Sequence, residues 1–326
     1  MDFSPDLLPR YAELHCLSNF SFLRGASHPE ELVERAKALG YEALAITDEC
    51  SLAGVARAHV AAKECNLKLI IGTEITLADA MKIVLLAKDR ASYGAISSLI
   101  TTGRRRSRKG TYSLSREDLE PRAAESVLML WIPGTLEQGL WIRERFPEAW
   151  IGAELHLGAN DRRRLEELKA LSKNTGLPLV ASGDVHMHVR SRRKLQDILT
   201  ATRIGKPLAA CGQALFPNAE RHLRLRMRLA QLYPRPMLEE SAKIAGRCAF
   251  SLDTLKYEYP EELVPPGETP ASHLRKLTEA GLRWRFPQGA PEKVRSLVEH
   301  ELLLIKDLEY EPFFLTVNDA VQFARS

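Results

Sequence analysis

Apolar positions in the first two-thirds of the chain switch repeatedly between two spacings. From Ser27, the stretch SHPEELVERAKALG places Leu32, Val33, Ala36 and Leu39 at helical spacing, with Ser27 as the expected N-cap, Glu30 three residues on, Pro29 in the first turn and Gly40 closing. EALAITD then forms a short apolar run ending in Asp48. Helical periodicity returns in LAGVARAHVAAKECN, and a second apolar run follows in LKLIIGTEI. The alternation continues through KIVLLAKD, a helix near 92–101, VLMLWIP, a helix near 136–146, WIGAELHL, a helix near 161–175, and LPLVASGDV with a helix from about 192. Strands apolar on both faces and separated by helices predict a mostly parallel sheet in an α/β domain. About seven such strands predict a closed or nearly closed barrel.

Near residue 255 the texture changes. YEYPEELVPPGETP is rich in Pro and Glu and reads as a linker, after which helical sequence runs to EPFFLTVNDAVQFARS. Two domains are therefore expected, 1–255 and 256–326. The second is shorter than the roughly 100–150 residues of a typical domain, as expected of a unit cut short.

Composition narrows the class. The 326 residues are 45% hydrophobic and 27% charged, enough for a substantial core. No apolar run approaches the roughly 20 residues that span a bilayer, and MDFSPDLLPRYAEL lacks the plan of a signal peptide, so a cytoplasmic protein is expected. Five cysteines without a C-x-x-C pair argue against a zinc ribbon or a disulfide framework. The formal charge of +4 is mild but unevenly spread, with clusters RRRSRK at 104–109, RRR at 162–164 and RSRRK at 190–194. The first lies between a predicted helix and the acidic SREDLE, where a mobile loop could touch phosphates without reading sequence. Arg104, Arg105, Arg106, Arg108 and Lys109 are the DNA-contact candidates. No aromatic residue interleaves with them, so a stacking platform is not indicated.

In α/β barrels chemistry collects at the C-terminal ends of strands. His15 follows YAEL, Asp48 and Glu49 end EALAIT, Glu74 follows LIIGT, Glu154 and His156 lie in WIGAELHL, and Asp184 and His186 end LPLVASG, with His188 two residues on. A single Asp in such a place is ordinarily a cap or loop hydrogen-bonder, and a single His a part-buried one. Convergence of five strands is what makes a site. Oxygen and imidazole ligands without thiolate suit zinc, manganese or iron, and clustered ions suit phosphoester hydrolysis.

These features resemble the polymerase and histidinol phosphatase (PHP) domain, a distorted (β/α)7-like barrel with a trinuclear metal centre. ELHCLSNFSFLRGASHPEELV, ALAITDE, GTE, ASGDVHMHVRSRRKLQD, PNAERHLR, YEYPEELVP and EPFFLTVNDAVQFARS together are similar to the opening third of the error-prone branch of bacterial C-family DNA polymerases, relatives of the replicative polymerase III α subunit. The resemblance runs along essentially the whole chain. It implies a PHP domain at 1–255, then a linker and the truncated N-terminal part of the polymerase palm region at 256–326. It also implies template-directed nucleotidyl transfer by the full-length parent, with magnesium held by aspartates beyond Ser326. DNA would be its substrate, damage-induced mutagenesis and lesion bypass its setting, and accessory proteins and the sliding clamp its partners through regions absent here.

Against the family pattern, the second place of His-x-His holds Leu17, Thr-Asp-His ends in Glu49, and the His that opens the next strand is matched by Lys82. An ammonium has no lone pair to give a metal. His15, Asp48, Glu49, Glu74, Glu154, Asp184 and His186 remain as a vestigial ligand set, with zinc or manganese partial or absent. Lys82 is expected to fill part of the vacated space and offset Asp48, Glu49 and Glu74. Imidazoles returned at Leu17, Glu49 and Lys82 would then restore metal binding. The leading expectation is a scaffold inside a polymerase. A stand-alone PHP phosphoesterase is the alternative and a partner-binding module the third, the lost ligands and the 261–326 tail counting against the phosphoesterase.

Overall fold

The computed structural model describes residues 8–119, 126–255 and 263–325, and the chain divides into two compact units, Met1–Leu255 and Lys256–Ser326. Seven strands build the first unit: β1 (Ala12–Glu13), β2 (Ala43–Ile46), β3 (Lys68–Thr76), β4 (Lys82–Leu86), β5 (Leu128–Ile132), β6 (Ala149–Glu154) and β7 (Leu179–Ser182), hydrogen-bonded in sequence order. The pairs within β1–β3 and within β5–β7 are parallel, while β4 is antiparallel to both neighbours. The link from β3 to β4 is a tight turn in which Leu77 N donates to Met81 O (2.8 Å), too short for the crossover a parallel pair needs. Past the end of β1, Leu17 N donates to Val185 O (2.8 Å) and Val185 N to His15 O (2.9 Å), joining the chain after β7 to the chain after β1. The sheet thus closes into a nearly complete barrel.

Helices α1 (Pro29–Ala38), α2 (Val55–Glu64), α3 (Arg90–Arg105), α4 (Leu136–Arg145), α5 (Asp161–Thr175) and α6 (Arg193–Ile204) follow the strands where periodicity placed them, and α7 (Arg226–Leu232) and α8 (Arg235–Arg247) complete the unit. The cap of α1 differs from expectation. Pro29, with no N–H and a fixed φ, takes the first helical position, so His28 is the cap and its N–H goes to Glu31 (2.9 Å). Ser27 instead joins its hydroxyl to His188 Nδ1 (2.8 Å) and accepts the His188 N–H (2.9 Å).

Alternate residues of every strand, among them Ala12, Ala43, Ile70, Val84, Leu130 and Val180, form one buried cluster with Ile244 and Ala245 of α8. The other strand faces pack on the helices in a second cluster. The inner space is narrow: a Cβ on Gly72 would lie 2.8 Å from a Leu86 methyl, and one on Gly152 2.9 Å from an Ile132 methyl. The same period of two carries Glu74 on β3, Lys82 on β4 and Glu154 on β6 to the inward face at one end of the barrel.

The second unit holds α9 (Pro270–Arg285), α10 (Glu292–Asp307) and α11 (Glu311–Arg325). Thr269 caps α9 through Ser272 N (3.2 Å), and Arg275 forks onto Glu299 of α10 (2.7 and 2.8 Å). Leu274, Glu311 and Leu315 are its buried residues among those described. The first part of the expected linker, through residue 262, lies outside the described residues. No helix among the described residues is long and apolar enough to cross a membrane.

Candidate metal centre at the barrel mouth

His15 stands at the centre of the mouth, fully buried. Its Nδ1 lies 2.7 Å from Glu154 Oε1, its Nε2 2.8 Å from Glu74 Oε2, and Asp184 Oδ1 is 3.9 Å away. Glu74, also without exposure, receives Arg24 Nη1 (2.5 Å) on one oxygen and Lys82 Nζ (3.3 Å) on the other. The same Arg24 nitrogen reaches Glu49 Oε2 (2.6 Å), which shares its carboxylate with the Tyr112 hydroxyl (3.0 Å). Arg221 pairs with Asp184. Asp184 itself sits just past β7 with φ 42°, a left-handed conformation that a non-glycine residue keeps only where its surroundings enforce it.

The electrostatics follow from burial set against partners. Burial pushes the His15 imidazole down, but Glu154 and Glu74 on its two nitrogens outweigh that and hold its pKa above the usual value. Burial pushes Glu74 up, and His15, Arg24 and Lys82 reverse this, leaving it well below the carboxylate range. Glu154, likewise opposed by burial, is drawn by His15 and Arg221 to about 2. Burial and the nearby Arg24 lower His186 to about 3. The mouth is thus an ionic lattice in which Glu49, Glu74, Glu154 and Asp184 face Arg24, Lys82, Arg221 and the His15 imidazole.

The expected ligands divide between this lattice and other work. Asp48 is not in the group: Oδ1 accepts from Ser18 N (2.8 Å), Ser21 N (3.1 Å) and the Ser21 hydroxyl (2.7 Å), and Oδ2 from the Ser18 hydroxyl (2.7 Å). Its carboxylate knits the loop after β1. His186 touches Asp184 Oδ1 (3.0 Å) with Nε2 and Arg24 O (3.1 Å) with Nδ1, and supports the site from behind. His156 faces Gly183 O (2.9 Å). Lys82 does offset Glu74 as expected, but Asp48 and Glu49 are held by serines, Arg24 and Tyr112 instead.

The basic cluster is likewise divided. Helix α3 runs through Arg105, and Arg104 is turned inward: it donates to the carbonyls of Cys50 and Glu49 (3.1 Å each) and stacks over Tyr112. Arg106 forks onto Asp118 (2.8 Å twice). Arg105, Arg108 and Lys109 stay exposed. Arg104 and Arg106 thus each reach an acceptor within the chain.

Sequence reading missed Arg24, Arg221 and Glu13. The first two lie inside SNFSFLRGAS and PNAERHLR, yet only folding carries them to the carboxylates. Buried Glu13 accepts from His15 N (3.1 Å), Gly183 N (2.9 Å) and the Tyr11 hydroxyl (2.8 Å), tying β1 to the turn after β7. A Cβ on Gly183 would stand 2.3 Å from the Glu13 carboxylate, so glycine is required for that approach.

His15, Glu154 and Asp184 can each turn one ligand atom to within 4.8 Å of the others, a set able to hold a single cation. The residues do not fit a trinuclear group. Arg24, Lys82 and Arg221 occupy the carboxylate oxygens that further ions would need.

Residues 13–157 match the PHP domain family. Residues 272–326 match the family described as the bacterial DNA polymerase III alpha NTPase domain. The chain as a whole is similar to error-prone DNA polymerases: 57% identical over 327 residues to that of Dechloromonas aromatica (98% of this chain, 32% of the relative), and 58% over 320 residues to that of Methylococcus capsulatus (97% and 31%). The error-prone DNA polymerase of an Azoarcus species is 52% identical over 350 residues (97% and 33%). The chain spans about a third of the length of these curated relatives.

Proposed function

We propose that this chain supplies the PHP region (1–255) and, at 256–326, a linker and the start of the polymerase palm region of an error-prone DNA polymerase, with the barrel acting as a charge-balanced scaffold. Identity of 57% along 98% of the chain carries this reading, and the ionic lattice supports the scaffold role. The parent reaction is template-directed nucleotidyl transfer, with magnesium ions bound by carboxylates outside this chain. DNA is the substrate, and lesion bypass and damage-induced mutagenesis in the cytoplasm are the setting. Accessory proteins and the sliding clamp engage other regions. Within this chain Arg105, Arg108 and Lys109 are the residues left to meet phosphates, and zinc or manganese is confined to partial occupancy at His15, Glu154 and Asp184.

A stand-alone PHP phosphoesterase is the second reading, favoured by that three-residue group. It requires Asp184 to leave Arg221. Primer extension separates the two. A chimera in which this chain replaces the matching third of the Dechloromonas aromatica relative should incorporate nucleotides on a primed template, while this chain alone should neither extend a primer nor hydrolyse p-nitrophenyl phosphate with zinc or manganese. An inactive chimera that folds, or metal-dependent hydrolysis by the chain that is lost in His15→Ala, would overturn the polymerase reading.

A further inference from the structure

We infer that a second cavity in the first unit, lined by the segment Glu220–Arg224 but distinct from the barrel mouth, binds the phosphate of a nucleotide or of a DNA strand. The segment turns Arg221 to Asp184 in the mouth, while Glu220, His222 and Arg224 line a cavity of about 420 Å³. Arg35 of α1, Arg190 after β7 and Arg228 of α7 complete its basic wall. Glu220 is the one carboxylate among the residues lining it, and it pairs with Arg190 at 3.4 Å.

Arg224 is the decisive group. It is 3% exposed, one Nη donates to Leu155 O (2.8 Å), and the other, with the Tyr233 hydroxyl nearby, makes no well-formed hydrogen bond among the described residues. Arg35 Nε is buried and unpartnered in the same way. Polar nitrogens are not left unsatisfied in a folded interior without a reason, and a guanidinium fork matches a phosphate in both shape and charge. Gathering four arginines around one space is unfavourable until an anion enters it.

The apolar part of the wall selects the kind of phosphate. Leu157 has φ 53°, and the peptide before it is pinned by Asn218 Nδ2 donating to His156 O (2.6 Å). This places an exposed leucine beside Leu223 and Leu225 at the cavity. An inorganic ion gains nothing from three leucines, whereas a nucleoside sugar or base does. The cavity lies within the first unit and does not depend on the polymerase reading.

Calorimetric titration of the full chain tests this, with thymidine monophosphate, inorganic phosphate and a short single strand lacking terminal phosphates as probes. Thymidine monophosphate should bind more tightly than inorganic phosphate. Arg190→Ala with Arg228→Ala, both exposed side chains whose loss leaves the core intact, should weaken that binding at least about tenfold, as expected when one or two charge-assisted hydrogen bonds are removed. Arg163→Ala with Arg235→Ala removes equal charge elsewhere and should change nothing. If the strand binds and displaces the mononucleotide, the phosphate comes from DNA; if the mononucleotide alone binds, it comes from a free nucleotide. Failure of both to bind, or equal weakening in the two double variants, overturns the inference.

Discussion

Removing the Arg24 side chain would leave Glu74 fully buried with only Lys82 and His15 beside it, and Glu49 with only Tyr112. Breaking one member of a buried ionic group strands the other charge, so Arg24→Ala should lower stability by about 3 kcal/mol in urea denaturation. Adding Glu74→Gln should return much of that loss, because the stranded charge goes with it. A loss below about 0.5 kcal/mol would mean that Arg24 is a surface pair of little weight. The lattice also changes the expectation for metal. On sequence alone, imidazoles at Leu17, Glu49 and Lys82 would rebuild a site. In the structure Leu17 is buried apolar packing, Glu49 is bound by Arg24 and Tyr112, and Arg221 still holds Asp184. The triple variant should therefore take up less than one equivalent of zinc by elemental analysis unless Arg24 and Arg221 are also replaced. Stoichiometric uptake with both arginines in place would show that the cations yield to metal.

At the scale of elements, α10 differs from the barrel helices. It buries no residue, whereas α1 buries Pro29, Leu32, Val33 and Ala36. Helices draw most of their stability from a packed face, so amide exchange in this chain should be fast through Glu292–Asp307 and slow in α1 and the strands. Comparable protection in α10 and α1 would contradict this. Element types and spans were legible because periods of two and near four are local properties of the chain. The cap of α1 was not: the pattern placed it at Ser27, but Pro29 takes the first helical position, which makes His28 the cap, and Ser27 is drawn to His188, far along the chain.

Over the whole molecule, a charge of +4 gives weak, salt-sensitive attraction to DNA and little more. With Arg104 and Arg106 committed internally, replacing Arg105, Arg108 and Lys109 together by alanine should reduce the slope of log K against log salt by up to about 3, roughly one for each phosphate no longer neutralised. Replacing Arg104 and Arg106 should instead cost stability, seen as a lower melting temperature, because it empties the Cys50, Glu49 and Asp118 acceptors. A salt slope unchanged by the first variant would remove this loop from the DNA-contact reading.

The sequence by itself determined the order of strands and helices, the near-closed barrel, the break near residue 255, and the line of carboxylates and histidines at strand ends, because each is written in spacing along a few neighbouring residues. It also showed that imidazole is absent at Leu17, Glu49 and Lys82. Only the tertiary structure decided what replaces a metal there. Arg24 and Arg221 come from loops about 200 residues apart and meet the carboxylates through barrel closure at Cys16 and Val185. Asp48 meanwhile turns onto Ser18 and Ser21 of the loop after β1 and away from the group. A side chain's charge is a property of the sequence, but its partner is chosen by distance in space, and attraction between charges is decided within a few ångströms.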